Sequence, residues 1–452
     1  MSTNKLDLLG QAGLLLLAAG CFRPVANGNY AMIMLLIWFI LSLRNLWPRL
    51  KHDPLFYLSL GFTAYLLVSL ALSPPDSLRS FQEIRRACES MLKAGFFGTL
   101  LVAMAQSRQP RKPCLLAGLM LFSLCSQVSA DPRFWQAGNW FEAWHGDRLW
   151  RFKLGYSANS LGAWCNLTIL ALLTVLNPWR QPTSSRRRKT AGLIFWAAGL
   201  VMALSLLFLT HSRSAWGALF PALLLLPAAK WSKLPSGRRW SCLGVGCGLL
   251  IVAAHLPPVK KNFLLEKDSF KKLARGHRHE IKTESLGDRL AMLGFFLEEW
   301  PRRPFFGLGP GSTPGLLQAA APRFSSISGY RHLHNGYLQI LLEVGIGGLL
   351  FYCGLAFLLL RGLRRQPQKD DDWLLSSLTM LIFFALHNHP IGSHQGPFAI
   401  ALLTGLAYRP TMGSAEPKSE LKIPAALKRP ESGGQQVAAE LHGQTAQLTQ
   451  KG

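Results

Sequence analysis

Charged residues, and acidic residues above all, are scarce in this sequence. Asp and Glu number 23 against 49 Lys and Arg, and the four charged types make up only 16% of the 452 residues. Apolar residues reach 49%, and they recur in blocks of about 15 to 25 residues, the length that crosses a bilayer. The composition therefore favours an integral membrane protein over a series of soluble domains.

Cysteine is also sparse, at eight residues, and its spacing matches neither a zinc site nor a disulfide framework. We therefore expect the cysteines to pack within the apolar blocks, and we expect no metal and no cofactor. The basic excess would suggest nucleic-acid binding in a soluble protein. Here most of it lies in short segments between apolar blocks, so nucleic acid is not an expected partner.

Twelve apolar blocks predict an all-α polytopic fold with about 12 transmembrane helices. Basic residues concentrate in alternate short loops, at residues 44–51, 108–112, 180–189, 230–239 and 361–369, which predicts that these loops and both termini are cytoplasmic. The predicted spans are centred near residues 15, 37, 64, 98, 122, 167, 201, 221, 249, 348, 380 and 402.

This topology divides the chain into four parts. Residues 1–257 are predicted to hold spans 1 to 9, residues 258–335 a loop domain on the outer side, and residues 336–408 spans 10 to 12. Residues 409–452 lack an apolar period and are predicted to be a disordered cytoplasmic tail. Within the outer loop, Leu286, Leu290, Leu293 and Leu297 recur at helical spacing up to Pro301, which predicts an amphipathic helix with Arg289 in its first turns.

Arg213 lies in Thr210-His-Ser-Arg-Ser214, between the apolar runs of spans 7 and 8. An arginine at this depth needs an anionic partner. One interpretation is an interfacial arginine whose head reaches lipid phosphate. The other is recognition of a substrate phosphate by a planar, permanently charged fork.

His334 and Asn335 begin span 10, where Asn335 can act as the N-cap and the helix end is suited to negative charge. Asn335, Gln339 and Glu343 then recur every four residues and form a polar stripe, which should face the interior of the bundle. Gln339 and Glu343 have two alternative roles at this point: hydrogen bonding between helices, or a part in the function. For His334 a chemical role is favoured.

Three further features are weaker signals. The stretch Gly307-Leu-Gly-Pro-Gly311 permits a sharp turn and a close approach of the backbone to a ligand. His387, His389 and His394 form a second external histidine cluster, which suggests a metal site only weakly, because no carboxylate ligand stands nearby. Arg85 and Arg86 fall in a stretch with the pattern of an interfacial helix, and we expect them to contact substrate phosphate.

Three segments together resemble the O-antigen ligase and polymerase superfamily. They are Thr-His-Ser-Arg-Ser-Ala-Trp-Gly at 210–217, the Arg289 helix ending in Trp-Pro-Arg-Arg-Pro-Phe-Phe-Gly-Leu-Gly-Pro-Gly at 300–311, and His-Leu-His-Asn-Gly-Tyr-Leu-Gln at 332–339. The resemblance covers roughly residues 150 to 360. It is closest in overall look to the ligases, which act on the lipopolysaccharide core.

The resemblance implies a GT-C-type glycosyltransferase of the bacterial inner membrane. Such an enzyme moves O-antigen from undecaprenyl pyrophosphate to the lipid A-core oligosaccharide on the periplasmic side, among membrane lipids. By the same resemblance Arg213 and Arg289 match two pyrophosphate-binding arginines and His334 matches a catalytic histidine. The chemistry fits, since guanidinium groups stabilise a departing pyrophosphate and an imidazole can deprotonate a sugar hydroxyl. We expect an inverting, metal-independent displacement in one step, with Asn335, Arg85 and Arg86 as further binding residues.

Other functions remain open at the level of sequence. O-antigen polymerases and protein O-oligosaccharyltransferases of the same superfamily share similar arginines and histidine, so the motifs indicate the donor better than the acceptor. From another class, a polytopic transporter or flippase would use Glu343 as a coupling site. That alternative gives no role to the large outer loop.

Overall fold

The computed structural model describes residues 3–21, 25–73, 80–108, 113–136, 157–178, 186–228, 271, 275, 286–365, 371–389 and 396–409. The regular secondary structure of these residues is helical, which confirms the all-α class. The α-helices are α1 Thr3–Gly20, α2 Val25–Leu50, α3 Pro54–Ala71, α4 Phe81–Met91, α5 Phe97–Arg108, α6 Pro113–Ala130, α7 Pro132–Trp135, α8 Ala158–Leu173, α9 Arg186–Leu209, α10 Arg213–Ala228, α11 Leu286–Glu299, α12 Thr313–Ala319, α13 Gly336–Arg365, α14 Asp371–Ala385 and α15 Gly396–Ala407.

Five of the described helices are long and apolar enough to cross a membrane. They contain Ala26–Leu50, Pro54–Ala71, Pro113–Ala130, Thr190–Leu209 and Gly336–Arg365, and three shorter apolar helices accompany them. Every predicted span centre falls within a described helix except the one near residue 249, which lies outside the described residues. The chain is therefore a multi-pass membrane protein, while the number of 12 spans stays a prediction.

The surface of α2 shows how the bundle meets its surroundings. Ile33, Ile37 and Ile40 on this helix are each about half exposed or more, at 51%, 46% and 58%, whereas Trp38 is 1% exposed and packs in the core. A water-facing helix would place polar residues on its exposed face. An apolar exposed face is what a lipid environment requires, because lipid tails leave no advantage to polar side chains.

The described end of the predicted outer loop forms a small core of its own. Phe295, Leu317, Ile327 and Leu333 pack together in one cluster of buried side chains. The helix predicted around Arg289 is confirmed as α11, and its run ends in a short 3₁₀ turn, Trp300–Arg302, which contains Pro301 as expected. The predicted loop domain thus contains a packed helical unit in residues 286–335, and its boundaries stay a prediction.

Helix α13 is broken at Gly345, where φ is 70° and the backbone is not helical. The loop at residues 304–309 packs against α13 at this break. Its residues Leu308 and Gly309 donate backbone hydrogen bonds to Leu342 O and Glu343 O at 2.8 and 3.0 Å, and Ile346 donates to Pro304 O at 2.8 Å. The backbone groups freed by the break are therefore bonded within the protein, which is the condition for irregular backbone at membrane depth.

Backbone conformation and close packing explain why the stretch 307–311 is rich in glycine. Gly307 has φ 71°, and a Cβ built there would lie 2.5 Å from the backbone of Glu343. Gly311 has φ 73°, and its Cβ would lie 2.7 Å from the backbone of Glu83 in α4. The glycines permit close backbone packing of the loop between α13 and α4.

The predicted helix near Arg85 is confirmed as α4, which begins with a capping box between Ser80 and Glu83. Several other predictions concern residues outside the described ranges. They include the span near 249, His394 and the tail from 410 onward.

Candidate active site

A cavity of about 210 Å³ brings the three principal predicted residues together. Arg213, Arg289 and His334 all lie on its wall, although they belong to three separate segments of the chain. The wall is otherwise formed by polar and titratable side chains. The full lining consists of Asn159, His211, Arg213, Ser214, Asp288, Arg289, Tyr330, His334 and His387.

Arg213 is the first residue of α10, and a sharp turn places it there. Helix α9 ends at Leu209, His211 adopts a left-handed conformation with φ 49°, and the next helix begins two residues later. Ser212 caps that helix, since its hydroxyl accepts a hydrogen bond from the backbone N–H of Ala215 at 3.2 Å. Arg213 is thus fixed at the positive end of a helix of 16 residues.

Helix α8 holds this turn from the side. The Ser212 hydroxyl donates to Asn159 Oδ1 at 2.9 Å, and Asn166 Nδ2 donates to the Ala215 carbonyl at 2.7 Å. Gly162 lets the two helices approach closely, because a Cβ built there would lie 2.7 Å from the Cβ of Ala215. The position of Arg213 therefore depends on tight packing against α8.

Arg289 lies in the first turn of α11, beside the buried carboxylate of Asp288. Asp288 Oδ2 accepts a hydrogen bond from the Tyr330 hydroxyl at 2.8 Å. Its other oxygen, Oδ1, is buried and has no donor within the described part of the chain. Among the described side chains Arg289 forms no ion pair.

His334 also has a left-handed backbone, with φ 49°. It directly precedes Asn335, whose Oδ1 accepts hydrogen bonds from the backbone N–H groups of Tyr337 at 3.0 Å and Leu338 at 3.1 Å. This confirms Asn335 as the N-cap of α13. The cap fixes the chain immediately after His334 and leaves the imidazole on the wall of the cavity.

Residues at the starts of four helices thus border one space. Asn159 belongs to the first turn of α8, Arg213 begins α10, Arg289 lies in the first turn of α11, and His334 precedes the N-cap of α13. Helix N-termini carry partial positive charge and unpaired N–H groups, and they bind phosphate readily. Together with two guanidinium groups, they make the cavity suited to a polyanion such as pyrophosphate.

The surroundings of His334 keep its imidazole neutral. Burial, together with the neighbouring His332 and Arg289, lowers its pKa from 6.5 to about 4. The ring of Tyr330 meets His334 edge to face, with centroids 5.1 Å apart. Burial and the bond to Asp288 raise the pKa of Tyr330 to about 12. At neutral pH the His334 imidazole can therefore accept a proton, while the Tyr330 hydroxyl stays protonated.

Two members of the second histidine cluster, His387 and His389, lie at or near the same site. His387 is on the cavity wall. The ring of His332 lies 4.5 Å from that of His334 and 6.2 Å from that of His389, measured between centroids. Within the described ranges, no group of three or more His, Cys, Asp or Glu side chains is placed to hold a metal ion.

Three predicted binding residues do not belong to the described wall. The amide oxygen of Asn335 is engaged in the helix cap. Arg85 and Arg86 lie exposed on α4, where Arg85 pairs with Glu89 at 3.5 Å. A role for these three in binding substrate stays a prediction.

Sequence reasoning missed several residues of the wall. Asp288 and His211 could have been proposed, because each lies within two residues of a predicted arginine. Tyr330 lies four residues before His334, which is a weaker signal. His387 was noted only as part of a separate histidine cluster, and Asn159 could not have been found without the fold, because long stretches of sequence separate both from the three motifs.

A family model described as O-antigen ligase matches residues 198–353. The matched segment contains Arg213, Arg289 and His334, and it confirms the resemblance to the O-antigen ligase family that the motifs carried. The family comprises membrane enzymes of the ligase and polymerase type that act as glycosyltransferases. No curated protein matches the chain.

Proposed function

We propose that this chain, which carries the O-antigen ligase family segment at residues 198–353, transfers O-antigen from undecaprenyl pyrophosphate to a sugar hydroxyl of lipid A-core. The reaction takes place at the periplasmic face of the inner membrane. The observation that supports this most strongly is that Arg213, Arg289 and His334 line one cavity. Their side chains suit the leaving group and the nucleophile of the same reaction.

The arginines are assigned to the donor. As the bond between the anomeric carbon and the phosphate oxygen breaks, negative charge grows on the pyrophosphate. Arg213 and Arg289 can stabilise that charge with planar forks that hydrogen-bond phosphate oxygens, and the helix ends at Arg213 and Arg289 add to their field. Preorganised groups of this kind lose little energy to reorganisation during the reaction, and this charge stabilisation needs no metal ion.

His334 is assigned to the acceptor. The acceptor hydroxyl oxygen attacks the anomeric carbon, its proton passes to a nitrogen of His334, and the electron pair of the broken bond leaves with the pyrophosphate. One displacement of this kind inverts the anomeric centre. Because the pKa of His334 is lowered to about 4, the imidazole is neutral and ready to accept the proton. Bound pyrophosphate beside it will raise that pKa and strengthen the base.

The cavity has room for the reacting groups only. Pockets that enclose whole small molecules are typically about 300–1,000 Å³, whereas this cavity is about 210 Å³. The glycan chain and the polyprenyl tail must therefore extend from it. This arrangement fits a polymeric donor whose length the enzyme does not need to measure.

The transporter alternative is weakened by the position of Glu343. Its carboxylate is 3% exposed and accepts hydrogen bonds from Thr313 at 2.8 Å and Gln339 at 2.7 Å. A coupling residue must exchange ions or protons during transport, but Glu343 is committed to bonds that hold the loop at Thr313 against α13.

Reconstitution tests the proposed function. Purified protein in detergent is given an undecaprenyl pyrophosphate-linked glycan and lipid A-core, and the product is analysed by gel and mass spectrometry. Glycan attached to lipid A-core is expected. Elongation of the donor glycan instead would assign a polymerase, transfer only to an added acceptor protein would assign a protein transferase, and no transfer would overturn the proposal.

A deletion strain gives the same distinction in cells. Loss of a ligase leaves long unlinked O-antigen chains, because their synthesis continues without attachment. Loss of a polymerase leaves lipopolysaccharide with a single repeat unit, and loss of a protein transferase leaves lipopolysaccharide unchanged. The ligase assignment requires the first result.

A further inference from the structure

His334 sits in a conformation that side chains with a Cβ adopt rarely, so something must hold it there. The residue after it is fixed by the Asn335 cap. The residue before it, Leu333, is 2% exposed and belongs to the small core beside α11. The backbone N–H of Leu333 is restrained by a hydrogen bond that it donates to a side chain in α13.

That side chain is Gln339, and both ends of its amide are engaged. Gln339 Oε1 accepts a hydrogen bond from the backbone N–H of Leu333 at 2.9 Å. Its Nε2 donates to Thr313 Oγ1 and to Glu343 Oε1, each at 2.7 Å. Gln339 is 2% exposed, so these bonds do not compete with solvent.

The other end of the network is anchored in the glycine loop. Glu343 accepts from the Thr313 hydroxyl at 2.8 Å, and the backbone N–H groups of Gly311 and Thr313 also donate to its carboxylate. Thr313 is fully buried and begins α12. The carboxylate thus fixes the loop, and Gln339 transmits that fixed geometry to the backbone one residue before His334.

We propose that Gln339 is a positioning residue that holds the His334 imidazole in register with the bound donor. This rests on the proposed function, since it gives His334 the role of base. The three residues of the polar stripe then act together on His334. Asn335 fixes the backbone after His334, Gln339 fixes the backbone before it, and Glu343 holds the side chain of Gln339.

The direct test substitutes Gln339→Leu, which has similar volume and no hydrogen bonds. The arginines are untouched, so the donor KM should stay near the wild-type value. The imidazole is displaced, and a misplacement of about 1 Å can cost roughly 100-fold in rate. We therefore expect kcat per donor-binding site to fall by roughly 10- to 100-fold. The matched control is Gln318→Leu, at an exposed position of α12, which should leave kcat unchanged.

Counting donor-binding sites separates positioning from simple damage to the fold. If Gln339 had only a structural role, Gln339→Leu would reduce the number of sites that bind donor and leave kcat per site intact, and that outcome would overturn the proposal. Thr313 provides the conservative comparison. Thr313→Ser keeps the hydroxyl and should retain kcat per site, whereas Thr313→Val removes it and should behave like Gln339→Leu.

The failure of this proposal differs from failure of the proposed function. Wild-type kcat per site in Gln339→Leu, together with an inactive His334→Ala protein, would refute the positioning role alone. An active His334→Ala protein would instead refute the assignment of the base. The two variants are therefore assayed side by side with the same donor and acceptor.

Discussion

His211 and His334 share one backbone conformation, each with φ 49°, and both line the same cavity. They are the non-glycine residues with positive φ in the part of the chain that the structure describes. Such a conformation costs on the order of 1–3 kcal/mol and persists only where the surrounding structure enforces it. Here Ser212 and Asn335 enforce it by capping the helices that follow. Strain is thus concentrated where the substrate is expected to bind.

Glycine at position 334 should separate folding from chemistry. His334→Gly removes the imidazole and relieves the left-handed strain, whereas His334→Ala removes the imidazole and keeps the strain. We expect both variants to lose transfer, and we expect the glycine variant to melt at the same or a higher temperature than the alanine variant. Melting curves in detergent and the transfer assay measure the two effects.

The matched control is His52→Ala, at an exposed position outside the cavity wall. It should melt and transfer like the wild type. Transfer by His334→Gly at the wild-type rate would contradict the role of the imidazole, whatever the melting temperatures.

The arginines should depend on shape as well as charge. Arg213→Ala or Arg289→Ala removes a fork that hydrogen-bonds the leaving group, and loss of one such donor typically costs on the order of 100-fold or more in rate. Lysine keeps the charge but cannot form the bidentate contact, so Arg213→Lys and Arg289→Lys should recover only part of the rate. Initial rates at saturating acceptor, with varied donor, measure the loss.

Arg44→Lys and Arg44→Ala are the controls for these substitutions. Arg44 is an exposed arginine of α2 and lies outside the cavity wall. Both control variants should therefore keep the donor dependence of the wild type. A loss at Arg44 as large as that at Arg289 would contradict the assignment of the loss to contact with the donor.

Tyr330 and Asp288 should be coupled in stability. Tyr330→Phe keeps the ring beside His334 but removes the donor to a buried carboxylate, which costs about 1–3 kcal/mol. A double-mutant cycle with Asp288→Ala, which removes the acceptor, should give a coupling energy of about 0.5–3 kcal/mol. Unfolding of the four proteins under the same conditions supplies the cycle, and strictly additive effects would show that the hydrogen bond does not contribute.

Acid should destabilise the fold in a defined range of pH. Burial, with the neighbouring His332 and Arg289, lowers the pKa of His334 from 6.5 to about 4. Burial and His332 lower the pKa of His389 to about 3, and burial lowers the pKa of His332. Below pH 6.5 these histidines bind more protons in the unfolded chain than in the folded protein. Stability is therefore complete above about pH 6.5 and falls as the pH drops toward about 4.

Melting temperature measured across that range tests the effect. His389→Gln removes one of the three buried groups, so its melting temperature should fall less steeply with pH than that of the wild type. An equal slope for the two proteins would indicate that His389 titrates normally.

Local patterns in the sequence predict the described helices, and the resemblance to the family indicates the three residues that line the cavity. Apolar blocks mark the spans, and the regular leucines mark α11. Arg213 and His334 stand out because placing a charged or titratable group at the end of an apolar run costs free energy, so such a group indicates a functional role. That Gln339 and Glu343 face the interior also follows from their spacing alone.

The rest depends on contacts between distant segments, which no local pattern specifies. The break of α13 at Gly345 could not be predicted, because the loop that satisfies its backbone lies about forty residues earlier in the chain. Asn159 and Gly162 position Arg213 only because α8 packs against α10. The place of His387 on the cavity wall likewise depends on how α14 packs in the bundle.

A structure of the protein with an undecaprenyl pyrophosphate donor bound would show directly whether the three residues act on one substrate. We expect the pyrophosphate to lie between the guanidinium groups of Arg213 and Arg289, within hydrogen-bonding distance of about 3 Å, with the anomeric carbon facing His334. A pyrophosphate bound away from both arginines, or an anomeric carbon turned away from the His334 imidazole, would contradict this expectation.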